Sequence, residues 1–148
     1  MDSAFEPGNG DWEARVRSSF ERQGAMRHLG ASIARLAPGQ CTIALPYRPE
    51  LSQQHGYFHA GISSTVADSA GGYAALTLFP AQTEVVTVEF KINLLAPALG
   101  DALVAEAAVV RSGRTLTVCS VEVLVERDGA RACCALMQQT LMRVAATR

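Results

Sequence analysis

No block of like charge appears in the 148 residues, where thirteen Lys and Arg are scattered among fourteen Asp and Glu. Holding a nucleic-acid backbone or an anionic membrane by charge requires a basic patch, so this balance argues against both as partners. A secretory signal is also missing, because the opening stretch MDSAFEPGNG is acidic and has neither a basic nor an apolar region. The longest run of low polarity, residues 60–79, carries Asp68 among several Ser, Thr and Gly, which suits a buried helix and not a membrane span. A soluble, cytoplasmic protein is expected. The four cysteines, Cys41, Cys119, Cys133 and Cys134, form no CxxC pair, and none has the electropositive local partner that activates a thiol. They are expected to be reduced and mostly buried. Neither HExxH nor GxSxG occurs, and no internal repeat or low-complexity segment interrupts what its length marks as a single domain.

What is present begins with residues 1–10, expected to form a flexible N-terminus. A helix follows over 11–25, with Asp11 as its cap and an apolar stripe at Trp12, Val16 and Phe20. Between Met26 and Pro46 two extended stretches flank the turn signal APGQ, and Cys41, Ile43 and Leu45 alternate with Gln40, Thr42 and Ala44. Residues 61–78 contain no proline and stop at Phe79-Pro80, which predicts a helix. Gly71 and Gly72 each cost about 1 kcal/mol inside a helix relative to Ala, so another element must pack closely there. Beyond the helix the period becomes two: Val86, Val88, Phe90, Ile92 and Leu94 alternate with Thr87, Glu89, Lys91 and Asn93. Strands over 102–111, 114–126 and 130–144 are then separated by turns at Ser112-Gly113 and Arg127-Asp128-Gly129. These elements predict an α+β domain over 26–148, in which a curved antiparallel sheet of five or six strands covers one central apolar helix.

Asp68 is the residue that this fold must explain. An ionised carboxylate among small and apolar neighbours needs a fixed partner or a function. A buried pair with an arginine or with backbone N–H groups would satisfy it, and so would catalysis. The stretch HAGISS opens the helix with backbone N–H groups that lack intrahelical acceptors and can stabilise a carbonyl oxygen as it becomes an oxyanion. Gly61 and Asp68 are two turns apart, about 10 Å along the axis, too far to serve one carbonyl atom together. If both act on one substrate, the carboxylate must come from a second copy of the chain whose helix runs antiparallel to the first. Asp68 would then act as base on a water or as nucleophile on a thioester. His55 and His59 are four apart, but Gly56 and the loop between them argue against a shared metal-binding face.

The stretches HGYFHAGISSTVADSAGGYAA, VTVEFKINLLAPALGD and VVRSGRTLTVCSVEV together resemble the hotdog-fold acyl-CoA thioesterases of the phenylacetic-acid-degradation, or PaaI-like, type. The similarity spans roughly residues 27–144. It implies a hotdog fold, a homodimer with sites at its interface that is often doubled to a tetramer, and hydrolysis of an acyl-CoA without metal or organic cofactor. The family signature places His at His59, its two glycines at Ala60 and Gly61, an earlier glycine at Gly56, and the catalytic acid at Asp68, nine positions after His59. Gln53 stands where these enzymes commonly have Asn to orient the water or thioester. Ala60 replaces a glycine whose N–H serves as oxyanion donor, and a positive φ would strain an alanine there. Thr87 matches a hydroxyl residue that holds water in some relatives, and His59 would assist.

The resemblance also gives the turn RSGRT a role, with Arg111 and Arg114 on the CoA phosphates, Gly113 permitting close approach, and Lys91 as a further cation. Phe58, Tyr73 and Leu76 would line the acyl tunnel. Two alternatives remain open: a non-catalytic acyl-CoA-binding sensor on the same fold, and a hotdog hydratase acting on enoyl or hydroxyacyl thioesters.

Overall fold

Small side chains dominate the helix that organises the molecule, α3, Ala60–Leu76, and they let the sheet close around it. The computed structural model describes residues 4–147. From Ser63 onward nearly every residue of α3 is buried, including Ala67, Ala70, Ala74 and Ala75. Two helices precede it, α1 at Trp12–Arg22 and α2 at Gly24–Leu29, followed by strands β1 at Ser32–Ala37 and β2 at Gln40–Pro46. After α3 come β3 at Thr83–Leu94, β4 at Ala102–Ser112, β5 at Leu116–Arg127 and β6 at Ala130–Ala145. The six strands form one sheet in the order β1-β2-β4-β5-β6-β3, antiparallel at every pairing, with β3 at one edge. This is the hotdog fold expected of the sequence. No helix is long and apolar enough to cross a membrane among the described residues.

Several local expectations need correction. Residues from Met26 to Leu29 are helical, and extension begins at Ser32, because Gly30 adopts a left-handed φ of 82° and its N–H closes α2 on the carbonyls of Met26 and Arg27. Asp11 precedes α1 without a side-chain capping bond; its N–H instead donates to Asn9 Oδ1. Val16 is fully buried, as the apolar stripe predicts.

Residues 1–3 of the expected flexible N-terminus lie outside the described residues, but the stretch after them is attached. Phe5 packs against the core, the Gly8 N–H donates to the Thr77 carbonyl, and Asn9 Nδ2 donates to the Phe79 carbonyl. Arg15 adds bonds to the carbonyls of Phe79 and Pro80. These donors cover the C-terminal end of α3 and hold down Phe79, whose full burial contributes about 1.5–3 kcal/mol.

The turns follow their sequence signals. Gly39 (φ 76°) closes the β1-β2 hairpin, and Asp128 with Gly129, both at positive φ, closes β5-β6. Of the two helix glycines, only Gly71 is required by packing: a Cβ there would lie 1.8 Å from Gln139 Oε1, whereas one at Gly72 would make ordinary contact with Leu141.

Candidate active site

The start of α3 is built around His59. Its Nδ1 accepts the Gly61 N–H at 2.8 Å, so the imidazole itself caps the helix, and a Cβ at Gly61 would crowd that nitrogen at 3.1 Å. The Gly61 N–H is therefore engaged and not free for an oxyanion. Ile62 and Ser63 donate to the His59 carbonyl, which leaves the Ala60 N–H as the donor without a partner among the described residues. Ala60 is helical and not at positive φ, so replacing a glycine with alanine at 60 causes no backbone strain. Ser64 donates to the Ala60 carbonyl at 2.8 Å.

Beside this helix end lies an open cavity of about 470 Å³, lined by Gln53, Phe58, His59, Ala60, Ser63, Leu94 and Leu95 among others. Gly56 (φ 84°) turns the loop below it, and its N–H donates to the Gln53 carbonyl. Gln53 Oε1 accepts from the N–H groups of His55 and Tyr57 and braces the same loop. That leaves Gln53 Nε2 as the polar group it can offer to the cavity. Phe58 is buried, edge-on to Tyr47 at 5.2 Å.

Asp68 lies about two turns further along α3 and lines a second, smaller cavity of about 160 Å³ with Ser19, Gln23, Ser69, Tyr73, Glu84 and Thr87. The two cavities share no residue. Neither an arginine nor a backbone N–H holds the carboxylate among the described residues. Asp68 Oδ1 instead accepts the Thr87 hydroxyl at 2.7 Å and the Gln139 amide.

A β-bulge brings Thr87 to this position. Thr87 pairs with Leu141 and Glu89 with Thr140, so Val88 is the extra residue and the alternation reverses there. Strict alternation would place Thr87 on the face opposite Phe90. The bulge puts both on the helix side, where Leu141 and Gln139 are buried. Gln139 is a site residue that the sequence pattern alone did not single out, 71 residues from Asp68. Its signal was a glutamine occupying the buried phase of β6 in register with Met137 and Leu141.

The expected acyl-tunnel residues separate. Phe58 lines the larger cavity and Tyr73 the smaller one, while Leu76 is buried in the core and lines neither. The Tyr73 hydroxyl accepts from Ser19 and Gln23, and burial pushes its phenol up from the usual value. Arg111 and Arg114 are exposed around the β4-β5 turn and make no ion pair or hydrogen bond among the described residues. The Gly113 N–H closes that turn on the Leu116 carbonyl, where a Cβ would lie 2.7 Å from the oxygen. Lys91 donates to Asn93 Oδ1 on the outer face. All four cysteines are free, and burial pushes Cys41 and Cys119 to about 12 and Cys134 to about 11.

Residues 55–132, a span that runs from the His59 loop through β5, match the family model of the thioesterase superfamily. The chain belongs to that superfamily. A thioesterase family protein from Silicibacter pomeroyi is 47% identical, with a TM-score of 0.90 over 91% of this chain and 99% of its own. A candidate esterase of Halobacterium salinarum is 33% identical over 127 residues, 82% of this chain and 83% of that protein. The Escherichia coli PaaI protein of the phenylacetic acid degradation operon shares the fold, with a TM-score of 0.83 at 20% identity over 93% of this chain and 96% of its own. Within the superfamily fold, the capped start of α3 lines the first cavity, and the Asp68 carboxylate, further along the same helix and bonded to Thr87 of the edge strand, lines the second.

Proposed function

We propose that the protein is an acyl-CoA thioesterase whose site is completed by a second copy of the chain. The observation that carries this reading is the separation of its two halves. The unpartnered Ala60 N–H lines one cavity and the Asp68 carboxylate another, about 12 Å apart along a single helix. One carbonyl cannot meet both within a protomer.

The edge strand supports a two-fold solution. β3 has twelve residues, and Val86, Val88, Phe90 and Leu94 are all more than two-fifths exposed, which is an unusual edge for a chain that stays monomeric. Pairing β3 with its copy in antiparallel fashion would bring Thr87 and Asp68 of one protomer toward Leu94 and Leu95, which line the Ala60 cavity of the other.

In this reading the Ala60 N–H polarises the thioester carbonyl, and Asp68 removes a proton from water or attacks the carbonyl carbon. Gln53 Nε2 orients the water or thioester. The thiolate of CoA leaves toward Arg111 and Arg114, whose unpaired guanidiniums suit its phosphates. Gly113 allows those phosphates to approach the turn.

The test is thiol release from acetyl-, hexanoyl-, palmitoyl- and phenylacetyl-CoA by the protein and by Asp68→Asn. The reading requires turnover of at least one of them, falling about a hundredfold or more in the variant with fold and assembly intact. Tight acyl-CoA binding with no turnover would instead favour a sensor.

A further inference from the structure

Gln139 breaks two rules of core design at one point. Its side chain is 1% exposed, and its Oε1 has no hydrogen-bond partner among the described residues, although a buried acceptor left unpaired costs free energy. It is accommodated by a second unfavourable choice, Gly71 in the middle of α3, where any Cβ would collide with that same Oε1 at 1.8 Å. A hydrophobic residue at 139 and an alanine at 71 would serve packing better.

What this arrangement achieves lies on the other end of the amide. Gln139 Nε2 donates to Asp68 Oδ1, and it stands 3.1 Å from the Asp68 main-chain carbonyl and 3.3 Å from Thr87 Oγ1. An NH₂ group has two hydrogens, enough to bridge the backbone and the carboxylate of one residue. It does so without a charge that would neutralise the acid, as Lys or Arg would.

We propose that Gln139 is the positioning residue for Asp68. By bridging the main chain and side chain of residue 68 it locks the carboxylate in one rotamer, and with Thr87 it occupies Oδ1. Oδ2, which accepts no hydrogen bond among the described residues, is then the oxygen that takes the proton from water or attacks the carbonyl. This inference rests on the thioesterase reading of Asp68.

Gln139→Met tests it, since methionine has similar length and volume, no donor and no unpaired acceptor. With the best acyl-CoA of the panel, kcat should fall about thirty- to hundredfold while KM stays within about twofold, because a slightly misplaced reacting group costs rate and not binding. Melting temperature should stay equal or rise, which a merely structural glutamine would not allow. Gly71→Ala, which displaces the amide without removing it, should lower kcat similarly, and the double variant should lose little more than either single one. A second measurement leaves Gln139 and Gly71 in place: the Gln139 side-chain amide resonances of the parent protein should move as Asp68 titrates and stay still in Asp68→Asn.

Full kcat in folded Gln139→Met, or amide resonances indifferent to pH, would overturn the inference while leaving Asp68 catalytic. Asp68→Asn as active as the parent would overturn the thioesterase reading of this site and the inference with it.

Discussion

Thr87 Oγ1 lies 2.7 Å from Asp68 Oδ1 because Val88 is an extra residue in β3 and turns the threonine toward the helix. A hydrogen bond to an ionised acceptor contributes about 1.5–3 kcal/mol. Thr87→Val keeps the shape and removes the donor, so kcat on acyl-CoA should fall about tenfold or more, whereas Thr87→Ser should stay within about threefold of the parent. Equal rates for the valine and serine variants would show that the hydroxyl does not serve the carboxylate.

His59 has a stability role that can be separated from catalysis. Removing an N-cap side chain costs about 1 kcal/mol, so His59→Ala should melt a few degrees lower, and His59→Asn should recover most of that loss. Thermal unfolding followed by circular dichroism distinguishes the variants. An unchanged melting temperature in His59→Ala would mean that its bond to the Gly61 N–H carries no weight.

The edge strand offers a test of assembly. Asp at both Val88 and Phe90 would place four carboxylates around a two-fold β3 contact. The doubly substituted chain should sediment as a monomer, keep its secondary structure, and lose thioesterase turnover by about a hundredfold. A folded monomer with full activity would remove the need for a partner.

Cys41 and Cys119 give a pH prediction. Burial raises both thiols from 9.0 to about 12, so between those values the unfolded chain releases protons that the folded chain retains. Stability linked to these thiols is therefore fully present below pH 9 and declines as pH rises toward 12. Urea midpoints should fall across that range, and less so with both cysteines replaced by Ala, relative to that variant's own midpoint at pH 8. At pH 8 Cys41 and Cys119 should react slowly with a disulfide reagent, so that the part-exposed Cys133 is the main protein background to subtract in the thiol-release assay.

Periodicity and turn chemistry were enough to read α3, the four long strands and the hairpins, because an apolar run ending at Phe79-Pro80 and the pairs at Gly39 and Gly129 leave few alternatives. Two kinds of feature escaped that reading. A bulge such as the one at Val88 changes which face a residue occupies without changing composition, so strict alternation put Thr87 on the wrong side. The Asp68–Gln139 contact depends on a strand pairing across 71 residues, which local pattern does not encode. Its traces, a glutamine in the buried phase of β6 and a glycine in mid-helix, become informative only together. The Gly24–Leu29 helix was likewise hidden, since its stop signal at Gly30 reads equally well as a turn before a strand.

The central claim is that Ala60 of one protomer and Asp68 of its partner serve one substrate, and mixed dimers test it most directly. Ala60→Pro removes only the proposed oxyanion N–H, at a first helical position where proline is tolerated and after a residue already extended at ψ 138°. Ala60→Pro and Asp68→Asn should each be nearly inactive alone. Unfolded together in equal amounts and refolded, they should regain about a quarter of parental activity, since half of the dimers are mixed and each of those carries one intact site. Activity no greater than the sum of the two variants, with mixed dimers present, would contradict a site shared between subunits.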